Sequence, residues 1–73
     1  MITGEQIRQG RLLVSLTQRQ LAKAARVRFE AVERAERSTG ELPLTIAHAT
    51  AIRRVLEAAG VEFTSRDVRR RLA

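Results

Sequence analysis

The chain has 73 residues, enough for one small domain, and a domain of this size buries only about 60% of its unfolded surface. It contains no cysteine and one histidine, which excludes disulfides, thiol catalysis and an ordinary structural zinc site. The net charge of +6, from 14 basic and 8 acidic residues, favours a polyanionic partner such as nucleic acid. No apolar run reaches the length of a signal peptide or a membrane span, so we expect a cytoplasmic protein without membrane contact.

The positive charge is concentrated in two parts of the chain. Residues 1–38 carry eight basic and four acidic side chains, residues 39–63 carry two and three, and residues 64–73 carry four and one. A basic surface is also an ordinary solubilising feature, so the charge by itself leaves both interpretations open.

A first helix is predicted over residues 4–14 or 4–15. Thr3 followed by Gln6 is a capping-box pattern, in which each side chain bonds the backbone N–H group of the other residue. Helical spacing predicts an apolar inner stripe: Ile7, Gly10, Leu13 and Val14. We expect Gly10 to allow the close approach of a neighbouring helix.

Two short helices separated by a tight turn are predicted next. Thr17 and Gln20 form a second capping-box pattern, so a helix begins at Gln18. Its inner face is predicted to carry Leu21, Ala22 and Ala25. In the following helix the predicted inner residues are Val32 and Ala35, and the predicted wet side consists of Phe29, Glu30, Glu33, Arg34 and Arg37. Two short helices joined by a three- or four-residue turn form a helix-turn-helix unit.

A loop and a longer helix follow this unit. The loop is predicted over residues 38–43, with Pro43 suited to a first helical position. The long helix is predicted over residues 44–59 and ends at Gly60. Its predicted inner residues are Ala49, Ile52, Val55, Leu56 and Ala59. His48 stands in this helix without a recognisable catalytic or metal-binding partner, so we expect no enzymatic activity and no cofactor.

The last segment allows two interpretations. Val61, Glu62 and Phe63 alternate as a short strand does, and residues 68–72 would then form the partner strand. Alternatively, Thr64 and Asp67 form a capping-box-like pair that begins a short fifth helix over residues 65–72. The second interpretation is slightly favoured.

The central segment resembles the phage repressor and Cro type of helix-turn-helix proteins, also called the xenobiotic-response-element family. The resemblance covers roughly residues 3–63 and rests on residues at fixed spacing: Arg11, Thr17, Gln18, Gln20, Leu21, Ala22, Ala25, Val27, Val32 and Glu36. Arg26 stands where the family usually has a turn glycine, and Arg28 stands where it usually has a serine or threonine cap. We therefore expect a left-handed backbone at a non-glycine residue, which costs on the order of 1 kcal/mol.

The resemblance implies a fold and a domain organisation. The implied fold is all-α, a small four- to five-helix bundle of the lambda-repressor-like type with the helix-turn-helix at its centre. Residues 1–63 would form the DNA-binding domain, and residues 64–73 a basic C-terminal extension.

The resemblance also implies which side chains contact double-stranded DNA. The second helix of the unit would enter the major groove, and the implied base-reading residues are Phe29, Glu30 and Arg34. The predicted phosphate contacts are Gln18, Arg19, Arg28 and Arg37. Arg11 and Glu36 are predicted to form a structural ion pair, which either orients Arg11 toward a phosphate or is an ordinary surface pair.

The sequence therefore predicts a sequence-specific transcriptional regulator that acts as a homodimer on a palindromic operator. The alternative is an antitoxin-like or anti-activator module that keeps the fold but binds a protein partner through Phe29, Phe63 or Leu72. The reason for the alternative is that residues 28–36 hold three glutamates and two arginines, so the predicted reading helix is net negative.

Overall fold

The computed structural model describes residues 2–71 and shows four helices followed by a two-stranded antiparallel sheet. The helices are α1 (Gly4–Leu13), α2 (Gln18–Ala25), α3 (Phe29–Arg37) and α4 (Ile46–Ala58), and the strands are β1 (Val61–Phe63) and β2 (Val68–Arg70). Leu72 lies outside the described residues, so the parts of the sequence predictions that fall on it, including its role as a contact for a protein partner, have no structural counterpart here. Among the helices of residues 2–71, none is both long and apolar enough to cross a lipid bilayer.

Both predicted capping boxes are confirmed. The Thr3 hydroxyl accepts a hydrogen bond from the Gln6 backbone N–H at 3.1 Å, and the Thr17 hydroxyl accepts one from Gln20 at 3.0 Å. In both boxes the glutamine side chain accepts the threonine N–H in return. The long helix begins at Ile46, later than predicted, because Thr45 caps it and leaves Pro43 in the preceding loop.

The core lies where the helices meet, and its largest fully buried side chains are Ile7, Leu21, Val32, Ile52, Leu56 and Val61. Two predictions of inner positions are wrong. Leu13 is 37% exposed, since α1 ends there and the half-buried Val14 packs on the core instead. Ala59 is exposed because it forms the C-cap of α4, just before Gly60 adopts a positive φ of 110°.

Close packing of α1 depends on its two glycines. A Cβ atom at Gly4 would collide with the backbone carbonyl of Ala35 in α3. A Cβ atom at Gly10 would lie 3.3 Å from Val61 and 3.5 Å from Leu56. The prediction that Gly10 allows a close approach is confirmed, and the neighbours are a strand as well as a helix.

The all-α prediction is wrong, and so is the predicted fifth helix over residues 65–72. Residues 61–63 and 68–70 form an antiparallel sheet in which Val61 faces Arg70, Glu62 faces Arg69 and Phe63 faces Val68. The predicted domain boundary after residue 63 therefore falls between β1 and β2. β2 packs against α1, and β1 packs against α1 and α4.

The Thr64 and Asp67 pair closes a reverse turn instead of beginning a helix. The Thr64 hydroxyl accepts from the Asp67 N–H at 2.8 Å, as a helix cap would, but the Thr64 N–H donates to the Asp67 carbonyl at 2.9 Å. The buried Gln6 amide donates to the carbonyls of Thr64 and Asp67 at 2.8 and 3.1 Å. A helix here would leave the backbone of β1 without its partner strand, whereas the hairpin pairs both segments.

Candidate nucleic-acid interface

Helices α2 and α3 are joined by a turn of three residues, Arg26 to Arg28. Arg26 has a left-handed backbone, with φ 58° and ψ 43°, as the sequence predicts. The Val27 N–H returns to the Ala22 carbonyl at 3.0 Å, and the Val27 side chain packs on the core. The turn is therefore formed although Arg28, the N-cap of α3, supplies no side-chain hydrogen bond.

The predicted pair of Arg11 and Glu36 forms, and both side chains are largely buried. Arg11 Nε and Nη2 donate to the two carboxylate oxygens of Glu36 at 2.7 and 2.9 Å. The side chains are only 13% and 3% exposed. Arg11 Nη1 also donates to the carbonyl of Leu16 at 3.0 Å, in the loop before α2. The pair thus joins α1, the start of α2 and the end of α3.

Gln18 completes this cluster, which we call the Glu36 network (Arg11, Gln18 and Glu36). Its amide Nε2 donates to Glu36 Oε1 at 3.1 Å, so the carboxylate accepts three hydrogen bonds. A buried carboxylate is stable only with such partners. Gln18 therefore has a structural contact as well as its predicted position at the first turn of α2, where backbone N–H groups face outward.

The beginnings of α2 and α3 are also connected by a stacked pair of side chains. The Arg19 guanidinium lies over the Phe29 ring, 4.2 Å from the ring centroid. Phe29 is half-buried and packs on the core, while Arg19 is exposed. Cation–π contacts at exposed sites contribute about 0.5 to 1 kcal/mol. A predicted phosphate contact and a predicted base-reading residue are thus adjacent.

The outer side of α3 is open to solvent. Glu30, Arg34 and Arg37 are exposed, whereas Val32 and Ala35 on the opposite side are fully buried. Glu33 is half-buried, and within residues 2–71 it forms no ion pair. Arg28 is exposed at the N-terminus of the helix.

Sequence reasoning missed three contacts that determine the geometry of this region. They are the Gln18 bond to Glu36, the Arg11 bond to the Leu16 carbonyl, and the stacking of Arg19 on Phe29. Each joins residues on different elements or across a turn, so helical periodicity carries no signal for them. The occurrence of only two aromatic residues in the chain was the one available indication that Phe29 has a specific contact.

The described part of the chain has no cluster of three histidine, cysteine or acidic residues that could hold a metal ion, and His48 is exposed. No protein-family model matches the chain, and no curated protein sequence matches it. The family resemblance therefore stays a prediction.

Proposed function

We propose that this chain is a sequence-specific DNA-binding regulator of the phage repressor and Cro type, acting as a homodimer on a palindromic operator. The observation that supports this most is the exposed side of α3, which carries Glu30, Arg34 and Arg37. The Glu36 network connects the end of α3 to α1 and to the start of α2. A rigidly mounted, solvent-exposed helix is what the major groove accepts.

Base recognition would come from the side chains near the start and middle of α3. Arg34 can donate two hydrogen bonds to the O6 and N7 atoms of guanine, a pairing worth about 1 to 3 kcal/mol of discrimination. Glu30 can accept a hydrogen bond from cytosine N4, and the Phe29 ring can contact a thymine methyl group. The stacking of Arg19 on Phe29 would limit the positions that this ring can take.

Phosphate contacts would position the protein without reading sequence. Gln18 lies in the first turn of α2, where the outward N–H groups and the helix dipole favour an anion. Arg19, Arg28 and Arg37 are exposed around the same pair of helices. These cations would supply the salt-dependent part of the affinity.

The alternative, a protein-interaction module, rests on the excess of glutamates in residues 28–36. Glu36 is almost fully buried and bonded to Arg11, so it adds little negative charge to the surface. The remaining residues of α3 then carry two glutamates and two arginines. With Arg19 and Arg28 beside them, the exposed surface is net positive, and this favours DNA as the partner.

The test is selection of bound duplexes from a random pool, performed with the wild type and with Arg34→Ala. The wild type should enrich a two-fold symmetric motif, and Arg34→Ala should lose preference at one base pair per half-site by about tenfold. Arg54→Ala, which removes an exposed arginine of α4, is the charge-matched control and should keep the motif. Enrichment of no motif by the wild type at moderate salt would refute the proposal.

The phosphate-contacting residues are tested by measuring the binding constants for operator and random duplex at several salt concentrations. Arg19→Ala or Arg37→Ala should weaken binding to operator and random duplex alike, and should reduce the slope of log K against log salt by about one per subunit, hence about two per dimer. A loss confined to one operator position would contradict the role that we assign to these two arginines.

A further inference from the structure

Strand β2 has an edge with unused hydrogen-bonding groups. The Thr64 N–H donates to the Asp67 carbonyl, and the Arg71 N–H donates to the Gly60 carbonyl. Hydrogen-bonded and non-bonded pairs alternate along an antiparallel ladder. The pair between these two, Glu62 and Arg69, is therefore also hydrogen-bonded. Val68 and Arg70 occupy the alternate, non-bonded positions, and their N–H and C=O groups point away from β1. Within residues 2–71 no other element bonds these groups.

Exposed apolar side chains lie beside this edge. Leu12 is 53% exposed and Leu13 is 37% exposed, both at the end of α1. Together with Gln9 they line a shallow depression whose other wall is Val68 of β2. Two adjacent exposed leucines next to an unpaired strand edge are unfavourable in an isolated monomer, because both the apolar surface and the edge attract further chains.

We propose that a second copy of this chain docks here, with β2 pairing antiparallel to β2 of the partner about a two-fold axis through Arg69. In this register Val68 lies opposite Arg70 of the second copy, and Arg70 lies opposite Val68. Among registers confined to residues 67–71, it is the antiparallel self-pairing in which the outward groups of both residues find partners, and it forms four backbone hydrogen bonds. The result is a continuous four-stranded sheet.

The charge pattern of the hairpin fits a second copy. In this register Asp67 lies opposite Arg71 of the other copy, which gives two opposite-charge pairs per dimer. The two Arg69 side chains face each other at the axis, but each is already paired with Glu62 of its own hairpin at 2.9 Å. The two Asp67–Arg71 pairs therefore favour this register in charge, in addition to the hydrogen bonds between the strands.

This inference names the surface for the homodimer in the proposed function, but it does not rest on DNA binding. It is tested without DNA, so its failure and the failure of DNA recognition are separate results.

The experiment is sedimentation equilibrium of the full chain over micromolar concentrations with charge-swap variants. Asp67→Arg and Arg71→Asp should each raise the dimer Kd by about tenfold or more, because two attractive pairs become repulsive. The double variant Asp67→Arg/Arg71→Asp should restore the wild-type Kd to within about threefold. The Asp67 side chain makes no hydrogen bond in the hairpin turn, which uses only main-chain groups of this residue, so folding should be preserved.

Matched controls remove the general effect of charge. Glu41→Arg and Arg54→Asp change the net charge by the same amounts at exposed positions outside the hairpin, and should leave the Kd unchanged. Leu12→Ser should also weaken the dimer, whereas Ile46→Ser, at a residue that is 73% exposed in α4, should not. A wild type that stays monomeric throughout, a dimer indifferent to Leu12→Ser, or single variants that the double variant does not rescue would each overturn the proposal.

Discussion

Two buried polar side chains connect distant parts of this molecule, and they differ in charge. The Glu36 carboxylate accepts three hydrogen bonds from Arg11 and Gln18 and is 3% exposed. Gln6 is 3% exposed as a whole residue, and its amide forms three hydrogen bonds, to Thr3, Thr64 and Asp67. The first network joins α1, α2 and α3, and the second joins α1 to the hairpin.

The difference in charge predicts a difference in the cost of breaking each network. A buried ion that loses its partner must be solvated or neutralised, whereas a neutral amide that is removed leaves only unbonded neutral groups. The helix-turn-helix half should therefore be more sensitive to loss of a single side chain than the hairpin. The hairpin should open locally before the helices separate.

The largest expected effect is that of Arg11→Ala. It leaves the Glu36 carboxylate buried with Gln18 as its remaining side-chain donor, and should lower the free energy of unfolding by about 3 kcal/mol. Urea denaturation followed by circular dichroism measures this loss. Because a small domain has little stability to lose, Glu36→Gln is a milder second variant that keeps the shape of the side chain.

An exposed ion pair supplies the control for this prediction. The side chains of Glu57 and Arg53 form an ion pair and are 43% and 46% exposed. Glu57→Ala breaks this pair and should lower the free energy of unfolding by about 0.5 kcal/mol or less. Equal losses for Arg11→Ala and Glu57→Ala would show that burial of the Glu36 network contributes nothing to stability.

Gln6→Ala should have a smaller and more local effect. It removes the donor to the Thr64 carbonyl and one half of the Thr3 capping box, and should cost about 2 kcal/mol. Hydrogen exchange should accelerate at the Arg71 amide, which bonds the Gly60 carbonyl at the open end of the hairpin, more than at the amides of α3.

The matched control is Glu5→Ala, which removes the acceptor of an exposed bond from Gln9 on the surface of α1. It should cost about 0.5 kcal/mol or less. Uniform acceleration of exchange over the whole chain in Gln6→Ala would mean that the hairpin and the helices unfold as one unit, and would remove the distinction between the two regions.

The two regions also differ in how far the sequence predicts them. The first three helices follow from local signals, namely the Thr3 and Thr17 caps and the periodic burial of Val32 and Ala35. The hairpin does not, because the Thr64 and Asp67 pattern is compatible with a helix start as well as with a turn. The bonds from Gln6, about 60 residues away in the sequence, favour the turn, and nothing in the local pattern reports them.

The family resemblance predicted one part of the Glu36 network, and the structure showed the rest. The pair of Arg11 and Glu36 was predicted from its positions, but their burial and the donation from Gln18 depend on how three helices meet. Periodicity predicted the exposure of Glu30, Arg34 and Arg37 correctly, but Glu33 is half-buried and Phe29 is half-buried under Arg19. Contacts between elements carry no periodic signal, so these details required the structure.

The smallest expected effect concerns the turn between α2 and α3. Here the substitution should raise the free energy of unfolding, whereas the variants above lower it. Arg26 has a φ of 58°, a conformation that glycine adopts at little cost. Arg26→Gly should therefore stabilise the protein by about 0.5 kcal/mol, because relief of the strained backbone exceeds the extra entropy of the unfolded chain. Urea denaturation again measures the change.

Ala24→Gly, in the preceding helix, introduces the same residue where the backbone is helical, and should destabilise by about 1 kcal/mol. Opposite signs for the two substitutions would show that packing of Val27 and the Glu36 network impose the left-handed turn on an arginine. If Arg26→Gly instead destabilises the protein, the arginine side chain stabilises the turn by more than its backbone strain costs. That result would contradict our assignment of no stabilising contact to this side chain.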